Sequence, residues 1–248
     1  MITLSDMAVL TPGKRPAVFT CRDGTIDANI AIGLNLWGGT VGDEYRMMGR
    51  SLSGWALDIG AHIGALGVSM ALDHPDLQVI AVEVVPESAD LIRENAKRNR
   101  VADRVHVVNA AAGAPGQTTM RCHWGYTARE PESPNYVSAH RLIAQTWAEF
   151  GAPEFVRDMP VVSLDGLMAE YGIEDIALMK IDCEGCEWHF LNTPAVAKVQ
   201  TIVGEYHGGN LTHIEDARAR IVEMLGPTHD IEWWREEPVI GTFEAVRR

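Results

Sequence analysis

Basic residues are scarce in this chain. Its 21 lysines and arginines face 34 aspartates and glutamates, a formal net charge of −13, and no Lys/Arg cluster stands out against that field. Such a balance repels a phosphate backbone, so nucleic acid is not an expected partner. Long apolar runs are missing too: none approaches the roughly 18 residues that would mark a membrane-spanning helix. The opening MITLSDMAVLTPGKRP lacks the basic start and apolar stretch of a secretory signal. The expectation is a soluble, cytoplasmic protein with no membrane partner. Only four cysteines occur, Cys21, Cys122, Cys183 and Cys186, in 248 residues. That is too few for a disulfide framework in a chain of this size and suits a reducing compartment. Internal repeats and low-complexity segments are absent as well.

What is present suits one well-buried α/β domain with a small appendage, since 46% of residues are apolar and 22% charged. AVFTCRDGTIDANIAIGL sets Asp23-Gly24 between two runs rich in Val, Ile, Phe and Thr, which predicts a β-hairpin turning there. Residues 1–50 therefore read as a hairpin-bearing extension and 51–248 as the main domain. From Ala56 onward, apolar strands alternate with amphipathic helices, the pattern of a parallel sheet covered by helices. Strands are predicted at Trp55–Ile59, Gln78–Glu83, Arg104–Asn109, Ile176–Asp182 and Thr201–Tyr206. PESADLIRENAKRNR starts with proline and runs from acids to bases, as the helix dipole prefers. A last helix near HIEDARARIVEML precedes two closing antiparallel strands in HDIEWWREE and VIGTFEAVRR, where Trp233 and Trp234 are expected to pack the hairpin. The rhythm breaks over 113–158. TTMRCHW reads there as an extra strand, and a stretch holding Tyr126, Tyr136, Trp147, Phe150 and Phe155 as a substrate lid or insertion.

LDIGAHIGALG, Leu57 to Gly67, is a strand running into a glycine turn and a small-residue helix. It is not a dinucleotide fingerprint, because His62 stands where the second glycine must let backbone approach a pyrophosphate, and this disfavours NAD. No Gly-Lys-Ser/Thr follows to grip phosphates. Asp58, Gly60 and Gly64 remain, at the carboxyl end of a strand, where open α/β sheets bind ligands. A carboxylate at Asp58 favours a cationic group, and Glu83 at the next strand end can accept from ribose hydroxyls. Adenosine joined to an amino acid meets both demands, so S-adenosylmethionine is the expected cofactor. ALMKIDCEGCEWHFL brings Asp182 to the same crevice, and IVGEYHGG adds Glu205 and His207.

These stretches resemble the FkbM family of S-adenosylmethionine-dependent methyltransferases. The resemblance rests on DIGAHIG, VEVVPES, NAAAG, VSLDGLMAEYGIEDIALMKIDCEGCEWHFL and VGEYHG, with GDEYRMM upstream. It implies a Rossmann-like class I methyltransferase fold: a mostly parallel seven-stranded sheet with one antiparallel strand and helices on both faces. It also implies a cofactor site. Asp58, Gly60 and Gly64 would meet the methionine part, with Ala61 and His62 in the same turn. Glu83, followed by Val84, would hold the ribose, Asn109, Ala110 and Ala111 the adenine edge, and Asp182 would close the pocket near the sulfonium. Family members tend to carry small or aliphatic residues in place of Cys183 and Cys186. This CxxC lacks the second half of a zinc site and reads as two free thiols.

Methyl transfer from a sulfonium is an in-line displacement, in which the nucleophile must be held about 3 to 3.5 Å from the methyl carbon. A hydroxyl nucleophile must also lose a proton. Asp182, Glu184 and His207 are the candidate catalytic residues. His207 is favoured as base because imidazole titrates near neutrality, although a histidine capping a strand is the plainer reading. His62 is an outsider for the role, and Glu187 reads as structural. Asp182, Glu184, Glu205 and His207 offer an oxygen-rich group suited to Mg²⁺ or Ca²⁺, but acids at strand ends need no metal and none is expected. The resemblance suggests O-methylation of a small hydroxylated acceptor, a sugar or secondary metabolite. N- or C-methylation and a nonenzymatic cofactor-binding module are the alternatives.

Overall fold

A computed structural model describes residues 3–23, 25, 27–37, 40–41, 43–124, 137–138, 155–208, 216–236 and 240–248. The chain opens with strands β1 (Leu4–Leu10) and β2 (Pro16–Arg22), helix α1 (Asp27–Gly33), and short strands β3 (Leu36–Trp37) and β4 (Thr40–Val41). Then come β5 (Gly54–Ile59), α2 (Ala65–Asp73), β6 (Leu77–Val82), α3 (Pro86–Arg98), β7 (Val105–Val108) and β8 (Ala111–Ala112). Next are β9 (Thr119–Trp124), β10 (Val137–Ser138), β11 (Phe155–Val162), α4 (Leu164–Tyr171), β12 (Leu178–Ile181) and the single-turn α5 (Glu187–Phe190). The chain closes with β13 (Thr201–His207), α6 (Ala217–Leu225), β14 (His229–Glu236) and β15 (Ile240–Arg247).

The main sheet has the order β14-β15-β13-β12-β5-β6-β7. Every neighbouring pair from β13 to β7 is parallel, and β15 alone runs against its neighbours on both sides. This is the expected seven-stranded sheet with one antiparallel strand. Side-chain alternation along each strand sends apolar residues to two faces. Leu57, Ile59, Ile80 and Met179 share a core with Leu164 and Leu167 of α4, Phe190 of α5 and Ile221 of α6. Ala56, Val79, Ala81 and Val203 pack on the other face against α2, α3 and the N-terminal hairpin. Trp233 packs edge-on to Tyr206 at 5.8 Å, while the Arg46 guanidinium lies 4.3 Å from the centre of the Trp234 ring.

The N-terminal hairpin is present, but its expected turn at Asp23-Gly24 is wrong. β1 pairs with β2 from Leu4↔Arg22 to Leu10↔Pro16, so the turn lies in Thr11–Arg15, where Pro12-Gly13 is the stronger turn signal. The run after Asp23 begins a helix instead. Asp27 accepts from the Arg22 backbone N–H at 2.9 Å and from its guanidinium at 2.8 and 2.9 Å, an arrangement that starts α1 and leaves no second strand. TTMRCHW does form a strand, β9, in a separate small sheet of order β10-β9-β11-β8. Most of the expected lid, with Tyr126, Tyr136, Trp147 and Phe150, lies outside the described residues. Among the described residues no helix is long and apolar enough to cross a membrane.

Candidate active site

The carboxyl ends of β5, β6, β12 and β13 converge on one edge of the main sheet. Gly60 leaves β5 with φ +74°, and a Cβ there would meet the Asp182 carbonyl oxygen at 1.8 Å, so no other residue fits this close approach. His62 adopts the left-handed region too, with φ 55°, a conformation histidine tolerates better than most residues. It is fixed from two sides. Its backbone N–H donates to Glu83 Oε2 at 2.8 Å and its ring Nε2 lies 3.3 Å from Asp27 Oδ1. Gly64 serves packing: a Cβ there would press on Ile92 Cγ2 of α3 at 2.8 Å.

Two adjoining spaces open beside this turn. One is a cavity of ≈ 150 Å³ whose polar wall is Asp58, Lys180, Asp182, Glu184, Glu205, Glu44 and Tyr45, with Ala61 and His62 also lining it. The other is apolar, built from Val82, Val84, Ala110, Ala111 and Met120, with Glu83 at its border. Gly60 and Glu184 border both. A ligand with a cationic amino-acid end and a flat, less polar end matches this division.

The acidic wall contains one buried cation that the sequence reading passed over. Lys180 Nζ donates to Gly60 O at 2.7 Å and to Ile59 O at 3.3 Å, and lies 3.5 Å from Asp58 Oδ1 and 4.0 Å from Asp182 Oδ2. Burial pulls the Lys180 pKa down, but Asp58 and then Asp182 outweigh it, so the net displacement is upward and the ammonium stays charged. Burial pushes the Asp58 carboxyl up, against Lys180 and a 2.9 Å hydrogen bond from the Gly67 N–H. A lysine inside the apolar run ALMKID was the available signal. Tyr45 was missed as well: its hydroxyl donates to Asp182 Oδ2 at 2.9 Å across 137 residues of sequence, a distance no local pattern reveals.

Glu83 is buried, and both its oxygens already accept backbone N–H groups, from His62 and from Val85, each at 2.8 Å. A carboxylate oxygen has two lone pairs, so accepting a backbone N–H does not by itself prevent it from accepting a second donor. The Asn109 side chain donates to Glu83 O at 2.8 Å and Val84 O at 3.1 Å, tying the ends of β6 and β7 together. Ala110 and Ala111, rather than that side chain, present the apolar surface.

His207 ends β13 in a cage of acids. Fully buried Glu187 takes both its backbone N–H at 2.8 Å and its Nδ1 at 2.7 Å, while Nε2 faces Glu205 at 3.4 Å, Glu184 at 3.6 Å and Asp182 at 4.0 Å. Burial would lower the His207 pKa; Glu187 foremost, then Glu205 and Glu184, reverse that and hold it well above 6.5. The structure thus brings Asp182, Glu184 and His207 together and gives structural Glu187 a partner.

Cys183 and Cys186 were expected as free thiols, and the structure corrects this: they form a disulfide, with Cα atoms 5.4 Å apart. Glu184 at φ 57° and Gly185 at φ 108° fold the turn so that the two side chains converge. Cys21 and Cys122 are free and buried.

Residues 58–232 match the methyltransferase FkbM domain. The chain belongs to that family. It is an S-adenosylmethionine-dependent methyltransferase, and the two adjoining spaces fit that cofactor: carboxylates for its cationic part and an apolar slot for its base. The 31-O-demethyl-FK506 methyltransferase FkbM of Streptomyces tacrolimicus is 28% identical over 185 residues, 68% of this chain and 69% of that one. Among solved structures, a precorrin-6y C5,15-methyltransferase from Geobacter metallireducens GS-15 is 16% identical with a TM-score of 0.45, covering 81% of this chain and 83% of that one. Cofactor-bound Rv0187 from MTB is 19% identical with a TM-score of 0.46, covering 78% and 72%.

Proposed function

We propose that this FkbM-family methyltransferase methylates a hydroxyl oxygen of a small molecule, with Asp58 and Asp182 facing the cofactor's cationic part, Glu83 its ribose, and Ala110 and Ala111 its base. The observation that carries the reading is the pinned imidazole. With Nδ1–H donating to Glu187 at 2.7 Å, His207 keeps Nε2 turned toward the carboxylates of Asp182, Glu184 and Glu205, and this nitrogen becomes a proton acceptor once the ring is neutral, the orienting logic of an acid-held histidine base. S-adenosylmethionine, when bound, supplies an electrophilic methyl group on a sulfonium cation. Asp182 and Glu184 line the cavity and receive the proton of the acceptor hydroxyl; His207 Nε2, behind them, is its final seat. A raised pKa makes neutral His207 a stronger proton acceptor, so the rate rises with pH until the ring is unprotonated. The relative's name, which places its methyl group on a 31-O-demethyl compound, supports oxygen as the target.

The test is formation of S-adenosylhomocysteine by purified protein supplied with S-adenosylmethionine and a panel of hydroxylated or amine acceptors. Turnover with hydroxylated acceptors is expected, with kcat falling about 100-fold or more in His207→Gln. Turnover confined to amines, or a His207→Gln enzyme as fast as wild type, would overturn the reading.

A further inference from the structure

The family match begins at residue 58, yet part of the polar cavity wall comes from before it. Tyr45 reaches that wall from a segment anchored to the far edge of the sheet. Arg46 pairs with Glu232 and Arg50 with Glu244, each at 2.8 Å, and the Asp43 carboxylate accepts from the backbone N–H groups of Met47 and Met48. The Tyr45 ring is 2% exposed, and the Lys180 ammonium lies 5.6 Å from its centre.

Asp182 divides its oxygens between two neighbours. Oδ2 accepts from the Tyr45 hydroxyl at 2.9 Å and lies 4.0 Å from Lys180 Nζ, while Oδ1 is turned toward His207 Nε2 at 4.0 Å. The hydroxyl thus holds the carboxylate at the cavity wall and short of a close pair with Lys180. Without that hydrogen bond Asp182 can close on Lys180, and a tight ion pair would offset the negative charge that Asp182 presents to the cavity. S-adenosylmethionine carries a sulfonium charge that its product, the neutral thioether S-adenosylhomocysteine, has lost. Preference for the charged form therefore depends on where the Asp182 charge sits.

We propose that Tyr45 is a positioning residue: by donating to Asp182 it keeps that carboxylate on the cavity wall and lets the site distinguish the sulfonium cofactor from its thioether product. This rests on the cofactor placement proposed above. Burial and the neighbouring Asp182 both hold the Tyr45 phenol well above its usual pKa, so it stays a donor at any pH at which the protein is handled.

Calorimetric titration of S-adenosylmethionine and S-adenosylhomocysteine separates the possibilities. Tyr45→Phe keeps the ring and the anchors and removes one hydrogen bond to a charged group. It is expected to weaken S-adenosylmethionine about tenfold and S-adenosylhomocysteine by less than about twofold. In an Asp182→Asn background the same change should have no further selective effect. Equal weakening of both ligands, or of neither, overturns the proposal while leaving the cofactor site standing. Silence of the wild-type protein toward both ligands overturns the cofactor placement itself, and this inference with it.

Discussion

Lys180 and Asp58 stand opposite each other on neighbouring parallel strands, in register, with Nζ 3.5 Å from Oδ1 and side chains only 4% and 0% exposed. The pair spans the floor of the polar cavity. It also ties the glycine turn to β12, because the same ammonium holds the carbonyl of Gly60 at 2.7 Å.

Removing one partner leaves the other charge buried and uncompensated, which costs about 3 to 5 kcal/mol. Lys180→Met is therefore expected to lose stability on that scale in urea denaturation, as is Asp58→Leu. The double variant should lose clearly less than the sum of the two, because neither charge is then stranded. Additive losses would show that the two groups do not act as a pair.

The imidazole of His207 makes stability depend on pH. Its folded pKa is raised, so the contribution is complete below the unfolded value, about 6.5, where both states are protonated. As pH rises past that value the unfolded chain sheds its proton first, and the contribution declines until the folded protein has lost its proton as well. Wild-type stability should consequently fall relative to His207→Gln between near-neutral and alkaline pH. Denaturation midpoints of the two proteins across that range check it, and parallel curves would refute it.

At Glu83 the expected loss follows from hydrogen-bond chemistry. Both oxygens accept backbone N–H groups, from His62 and Val85, and an amide has one acceptor oxygen and a nitrogen that only donates. Glu83→Gln must leave one of those donors unmatched, which costs about 1 to 3 kcal/mol. The turn should loosen and S-adenosylmethionine affinity fall more than tenfold by calorimetry. Unchanged stability would mean that the turn does not depend on this carboxylate.

The strands of the main sheet, their order around Asp58 and Asp182, and the closing antiparallel pair were all readable, because apolar runs and turn residues repeat the same local signal at each unit. The N-terminal hairpin was readable in kind but not in place. Asp23-Gly24 is a fair turn pattern in isolation, and only the pairing of Asp27 with Arg22 decides for a helix. That Asp58, Glu83, Asp182 and His207 come together at neighbouring strand ends was legible from position alone. Residues whose part depends on packing were not. Tyr45 meets Asp182 and Asp27 meets His62 only once the N-terminal segment has closed on the sheet. The CxxC disulfide escaped for a related reason, since its closure depends on left-handed backbone at Glu184 and Gly185 that spacing does not announce.

Thiol counting tests that disulfide. Protein denatured without reductant should react with an alkylating reagent at two cysteines, Cys21 and Cys122. After reduction all four should react, as read by mass spectrometry. Four modified cysteines before reduction would show that Cys183 and Cys186 are free.

Calorimetric titration of S-adenosylmethionine into wild-type protein and into Asp58→Asn and Glu83→Gln variants tests the placement of the cofactor most directly. Binding by the wild type that is strongly weakened in both variants is the expected result, since the proposed placement sets one acid at the cationic end and the other at the ribose. Binding that survives both changes undiminished would contradict the account and move the cofactor away from the glycine turn.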